Sequence, residues 1–221
     1  MKKAEVEPAL AWLRSRASKT VLDGMARYAI PADHALGVPV RDIKALGKEL
    51  GRDQQLAEAL WDTGIYEARF LVSFVADPAR LSPERMDLWC AQFDNWAICD
   101  TMCFHLFDRS PHAWDKVRQW SGLEEEFVKR TAFALLWSLT VHDKKSGDAP
   151  FLEGLALVER AANDERNFVK KAVNMALRAV GKRNAQLREA ASAAARRLAD
   201  SQDPTARWNG KNALRELSAR R

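Results

Sequence analysis

The chain has 221 residues, 47% hydrophobic and 29% charged, with a net charge of +5 and a pI near 9.2. That balance excludes a disordered chain, and the lack of any apolar run near ~20 residues excludes a membrane-spanning helix. Glycine (10) and proline (8) are sparse while Ala, Leu, Arg and Glu abound, which favours helix over sheet.

Met1 to Glu7 is charged and lacks the apolar core of a signal peptide. Residues 29–40, with Pro31, Gly37 and Pro39, read as the longest loop. Gly51-Arg52-Asp53 reads as a break between helices. Ser82-Pro83 reads as a helix start, an N-cap followed by proline at the first helical position. Asp94 to Asp100 reads as helix. Ser110-Pro111 has the same start signature as Ser82-Pro83. Glu124, Glu125 and Glu126 fit the first turn of a further helix, at its positive dipole end. Gly181 to Asn184 reads as a second break, and Asp203-Pro204 as the last helix start. No run alternates like a strand.

The cysteines are Cys90, Cys99 and Cys103, an odd and small count that predicts reduced thiols in the cytoplasm. Cys99 and Cys103 share a helix face without a third or fourth ligand. His34, His105, His112 and His142 do not cluster, so no metal site is expected.

Trp96 and Asp100 are spaced i, i+4 and share a helix face. An electron-rich ring beside a carboxylate is a receptor for a cation. The plainer readings are core packing for Trp96 and a surface ion pair for Asp100.

Phe127-Val128-Lys129-Arg130 recurs 41 residues later as Phe168-Val169-Lys170-Lys171, and an Ala-Leu pair recurs at 134–135, 176–177 and 213–214. A period near ~40 with paired helices predicts HEAT-like repeats in one domain, 1–221. Charge is uneven as well. Residues 167–221 carry 13 Lys or Arg against 4 Asp or Glu, a balance of +9, while the rest carry 22 against 26, a balance of −4. A basic C-terminal part points to a polyanionic partner. Lys171, Met175, Arg178 and Lys182 fall on one helix face, as do Arg130, Ala134 and Trp137. Such stripes would track phosphates, with Arg207, Trp208 and Lys211 extending the surface. Tyr66 reads as structural, and Tyr28 as lying outside that surface.

Six segments then carry a resemblance. They are Gly37-Val38-Pro39-Val40-Arg41, Tyr66-Glu67-Ala68-Arg69, Phe93-Asp94-Asn95-Trp96, Phe127-Val128-Lys129-Arg130, Asn167 to Asn174, and Ala206-Arg207-Trp208. In this order, from about residue 20 to the C-terminus, they resemble the AlkD-like DNA alkylation repair family. The resemblance implies an all-α fold, with HEAT-like helical repeats forming a curved right-handed α-α superhelix whose concave face holds duplex DNA. It implies a monofunctional glycosylase, without a lyase step, that excises cationic alkylated purines, chiefly 7-methylguanine and 3-methyladenine. It implies no metal or organic cofactor, a monomer, and a place in the bacterial cytoplasm or nucleoid. The family's catalytic Asp falls on Asp100, its first active-site Trp on Trp96, and an Arg that grips the DNA backbone on Arg130. Its second active-site Trp falls on Met175, a departure that bears on activity and on lesion range. Two other readings fit the same chain: a non-catalytic binder of bent or branched DNA, and a protein-interaction scaffold.

Overall fold

A computed structural model describes residues 3–219. Met1, Lys2, Arg220 and Arg221, which the sequence reading counted in the charged N-terminus and the charge balance, lie outside the described residues. Among the described residues there is no strand, and no helix is long and apolar enough to cross a membrane. The chain divides into two compact units, Met1–Pro111 and His112–Arg221.

The first unit holds α1 (Lys3–Ser15), α2 (Lys19–Met25), α3 (Val40–Leu50), α4 (Gln54–Trp61), α5 (Tyr66–Val75), α6 (Pro83–Cys90) and α7 (Trp96–His105). Three short 3-10 helices, Ala26–Tyr28, Pro78–Arg80 and Phe107–Arg109, lie between and after them. The central helix is α5, which packs against α1, α3, α4 and α7. Its apolar residues Ala68, Leu71, Val72 and Val75 are fully buried. Around it an aromatic cluster forms, with Trp61 stacked on Trp89 at 5.2 Å and edge-on to Phe93 at 5.9 Å.

The second unit is three consecutive helix pairs: α8 (Ala113–Ser121) with α9 (Glu126–His142), α10 (Ala149–Arg160) with α11 (Asn167–Gly181), and α12 (Ala185–Ala199) with α13 (Pro204–Leu217). Within this unit α11 packs between α9 and α13, and α10 between α8 and α12, so alternate helices form two layers. The sequence repeat marks the contact between neighbouring pairs within the layer of α9, α11 and α13. Phe127 and Phe168 lie 5.2 Å apart, and Ala134, Leu135, Ala176, Leu177 and Ala213 are buried. Gly210 lets α13 approach α12 closely: a Cβ there would lie 2.3 Å from Ala199 N and 2.5 Å from Ala195 O.

The helix starts follow capping chemistry. Ser82 Oγ accepts from Arg85 N at 3.2 Å, and Asp203 Oδ1 from Ala206 N at 2.8 Å, each with proline next in the chain. The breaks after α3 and α11 end in the capping residues Asp53 and Asn184. Three boundaries differ from the sequence reading. At Ser110-Pro111 no helix begins; Ser110 is buried with its hydroxyl 3.5 Å from Met86 Sδ, and α8 starts at Ala113. Of Glu124 to Glu126, only Glu126 is inside α9. Asp94 and Asn95 precede α7, with Asn95 as its cap.

Candidate functional site

The helix that carries the Trp-Asp pair is set by its first residues. Asn95 is buried, its Oδ1 accepts from Ile98 N at 3.0 Å, and its Nδ2 donates to Asp94 Oδ1 at 2.7 Å. The helix buries Ala97, Ile98, Cys99, Met102 and Cys103, which leaves Trp96 and Asp100 half-buried together on its other side. The indole is oriented by a long-range bond: Trp96 Nε1 donates to Tyr28 O at 2.7 Å. Tyr28 itself is 65% exposed, so its ring stands in solvent next to the residue that fixes Trp96.

A buried carboxylate pins the loop that follows Tyr28. Glu67, 1% exposed at the start of α5, accepts from Gly37 N at 2.7 Å, Leu36 N at 2.8 Å and Val38 N at 3.2 Å. Gly37 has φ of 78°, and a Cβ there would lie 2.4 Å from Ser18 O, so only glycine fits. Beside the loop lies a cavity of about 300 Å³ bounded by His34, Tyr66, Arg69, Asp94, Asn95 and Ile98. Burial, then Glu67 and Asp94, push the Tyr66 phenol well above its ordinary value, so it stays protonated.

The thiols Cys90, Cys99 and Cys103 are reduced and buried. Burial first, then the Cys99 hydrogen bond, push the Cys103 thiol upward, which makes it an inert packing group. Among the described residues, no three His, Cys, Asp or Glu side chains gather as a metal site.

In the second unit, the structure gathers several of the cations on one surface of α11 and α13. Lys171, Met175, Arg178 and Lys182 line the side of α11 away from the buried Ala172, Val173, Ala176 and Val180. Lys170 Nζ sits 5.2 Å over the ring of Trp208, which is 40% exposed, and Lys211 is exposed one turn further along α13. Other residues are engaged elsewhere. Arg207 Nη1 donates to Ser201 O at 2.8 Å and caps the turn before α13. Lys129 pairs with Glu124 at 3.4 Å and Asp164 at 3.6 Å. Trp137 is half-buried. Arg130 departs most from its expected role of gripping DNA. It is 4% exposed, and its Nη1 donates to Phe168 O at 2.9 Å, so it ties α9 to α11.

The sequence reading missed three residues. Tyr28 stands at the mouth of the loop, and its aromatic type there is the sequence signal that points to it. Glu67 and Glu216 act across 29–31 and 34–38 residues of chain, a range at which no local pattern points to a partner.

Residues 9–220 match the model of a protein family described as DNA alkylation repair enzyme. The chain belongs to that family. Among solved structures, it is similar to one described as a new family of proteins related to the HEAT-like repeat DNA glycosylases with affinity for branched DNA structures. The identity is 20% and the TM-score 0.78, over 98% of this chain and 97% of that one. At that identity the likeness establishes the fold, and the helix pairs are HEAT-like repeats. A designed armadillo repeat protein aligns more distantly, with 12% identity and a TM-score of 0.35 over 89% of this chain and 99% of that one. A comparison with curated proteins finds no match.

Proposed function

We propose that this protein is a monofunctional DNA glycosylase that hydrolyses the N-glycosidic bond of cationic alkylated purines, 7-methylguanine and 3-methyladenine, in duplex DNA. The observation that carries this reading is the pair Trp96 and Asp100, half-buried together on one side of α7 in a chain of the alkylation repair family.

Alkylation at N7 of guanine or N3 of adenine leaves the base positively charged, so it departs without an acid to protonate it. The C1′–N bond breaks, its electron pair goes to the base, and the base leaves neutral. The sugar is left with oxocarbenium character. Asp100 stabilises that cation and accepts the proton of the water whose oxygen bonds to C1′. Trp96 lays its π-face against the sugar and excludes bulk water. Lys171, Lys211 and the Lys170–Trp208 pair hold the phosphates without reading sequence, which suits an enzyme that must accept damage anywhere. The protein acts as a monomer on double-stranded DNA, with no metal or organic cofactor.

The test is base release from 7-methylguanine duplex under single turnover. Wild type releases base above background, and Asp100→Asn, checked to be folded, lowers the rate on the order of 100- to 1000-fold. No release by wild type overturns the reading. Met175, where the family carries a second Trp, favours a second reading: a non-catalytic binder of bent or branched DNA. DNA binding without base release, indifferent to Asp100→Asn, would establish that one instead. No DNA binding even at low salt would leave a protein-interaction scaffold.

A further inference from the structure

Arg178 and Lys182 sit one turn apart at the end of α11, and both are held by a single carboxylate from α13. Arg178 Nη1 meets Glu216 Oε2, and Lys182 Nζ meets Glu216 Oε1, so each carboxylate oxygen takes one cation. Arg178 Nε also leans on the backbone, donating to Asn174 O at 3.4 Å, which orients the guanidinium along the helix surface. The hydrogen bond from Lys182, and then that from Arg178, pull the Glu216 carboxyl below its ordinary range against the opposing effect of burial.

The cluster is open to solvent. The side chains of Arg178, Lys182 and Glu216 are 29, 40 and 31% exposed. Ion pairs this open contribute little to stability, so holding α13 to α11 is a weak reason for three charged groups to converge. The buried Asn174 already joins the two helices, its Nδ2 donating to Asn209 O at 3.1 Å. The geometry is that of an oxyanion receptor: two cations converge on two oxygens of one singly charged group. A phosphodiester offers the same features, with two non-bridging oxygens and one negative charge.

We propose that Arg178 and Lys182 form a phosphate subsite for the DNA backbone, and that Glu216 fills it as an internal stand-in until a phosphate displaces it. This rests on the DNA-binding part of the function proposed above. DNA binding then becomes an exchange of anions at this point. The displaced carboxylate stays near the backbone and repels it, so Glu216 weakens the hold on DNA. Neutralising one phosphate with two cations and one anion also releases fewer counterions than two cations alone would.

Glu216→Gln, which keeps the shape and removes the charge, is measured in the full chain against an undamaged duplex over a salt series. The expected result is about 5- to 10-fold tighter binding near 0.1 M salt, with a log Kd–log salt slope steeper by about one. Arg178→Ala costs more affinity in the Glu216→Gln background than in wild type. In the wild type, adding duplex moves the Arg178 Nε–H resonance and brings the Glu216 carboxyl carbon to the position of a solvated glutamate, a readout independent of the folding of any variant. Unchanged or weaker binding by a folded Glu216→Gln variant overturns the inference, as does a Glu216 signal that DNA leaves in place. Base release intact with affinity unmoved by Glu216→Gln overturns this inference alone. Tighter binding by Glu216→Gln with no base release from wild type overturns the glycosylase reading alone.

Discussion

In Met1–Pro111 the α-helices run from 7 to 13 residues, whereas in His112–Arg221 they run from 9 to 17. In the first unit, side chains hold loops by binding their backbone. Glu67 takes three N–H groups of the loop at 36–38, and Arg52 Nη1 donates to Ala76 O at 2.5 Å. In the second unit side chains bind backbone chiefly between helices, as Arg130 Nη1 does to Phe168 O and Asn174 Nδ2 to Asn209 O, while longer helices repeat the same buried Ala and Leu positions and carry cations on the surface of α11 and α13. One unit therefore fixes the Trp96 indole beside Asp100 on one side of α7, while the other spreads charge over a face. Under the proposed function, chemistry needs the first arrangement and grip on a polymer needs the second.

Substitutions can break that contrast in order of effect. Glu67→Ala leaves three backbone N–H groups without their acceptor and lowers stability by about 3–5 kcal/mol, read from urea unfolding, with amide exchange rising first across 29–39. Gly210→Ala drives a methyl into the backbone of α12 and costs about 3 kcal/mol, with exchange rising in α12 and α13 instead. A third change sharpens the comparison by pH. Asp143, just after α9, accepts from Ser146 Oγ at 2.6 Å, Ser146 N at 2.9 Å, Trp114 Nε1 at 2.9 Å and Lys145 N at 3.0 Å. Burial alone would raise its carboxyl, but these hydrogen bonds win and bring it from 3.8 to about 2. Its stabilisation is complete above the unfolded value and is lost as pH falls from about 4 towards 2. After allowance for solvent screening it amounts to about 1–2 kcal/mol, and Asp143→Asn removes that amount and flattens the fall of the melting temperature between about pH 4 and 2. The smallest effect is at Lys171, which is exposed. Lys171→Ala weakens DNA binding about 2- to 3-fold, lowers the salt slope by about one and leaves the melting temperature unchanged.

What the sequence revealed divides along the same line. Local chemistry was legible: the caps at Ser82 and Asp203, the breaks after α3 and α11, and the shared face of Trp96 and Asp100 all depend on neighbours within a turn or two. Ser110-Pro111 misled because the dipeptide leads into a turn, with the Ser110 hydroxyl donating to the buried Met86 Sδ, and α8 starts only at Ala113. Arg130 misled because an arginine on a helix looks alike whether its guanidinium meets a phosphate or the Phe168 carbonyl of the next helix. Glu67 and Glu216 were opaque, since each takes its meaning from a strand of chain about thirty or more residues away.

The hydrogen bond from Trp96 Nε1 to Tyr28 O has a consequence for discrimination. An indole has one donor and no acceptor. With that donor committed to the backbone, the ring offers any nucleotide only a flat electron-rich surface. It cannot tell the edge of guanine from that of adenine. Under the glycosylase reading, lesions are therefore ranked by how readily each base departs. Purines whose alkylation leaves the glycosidic bond robust would pass through untouched.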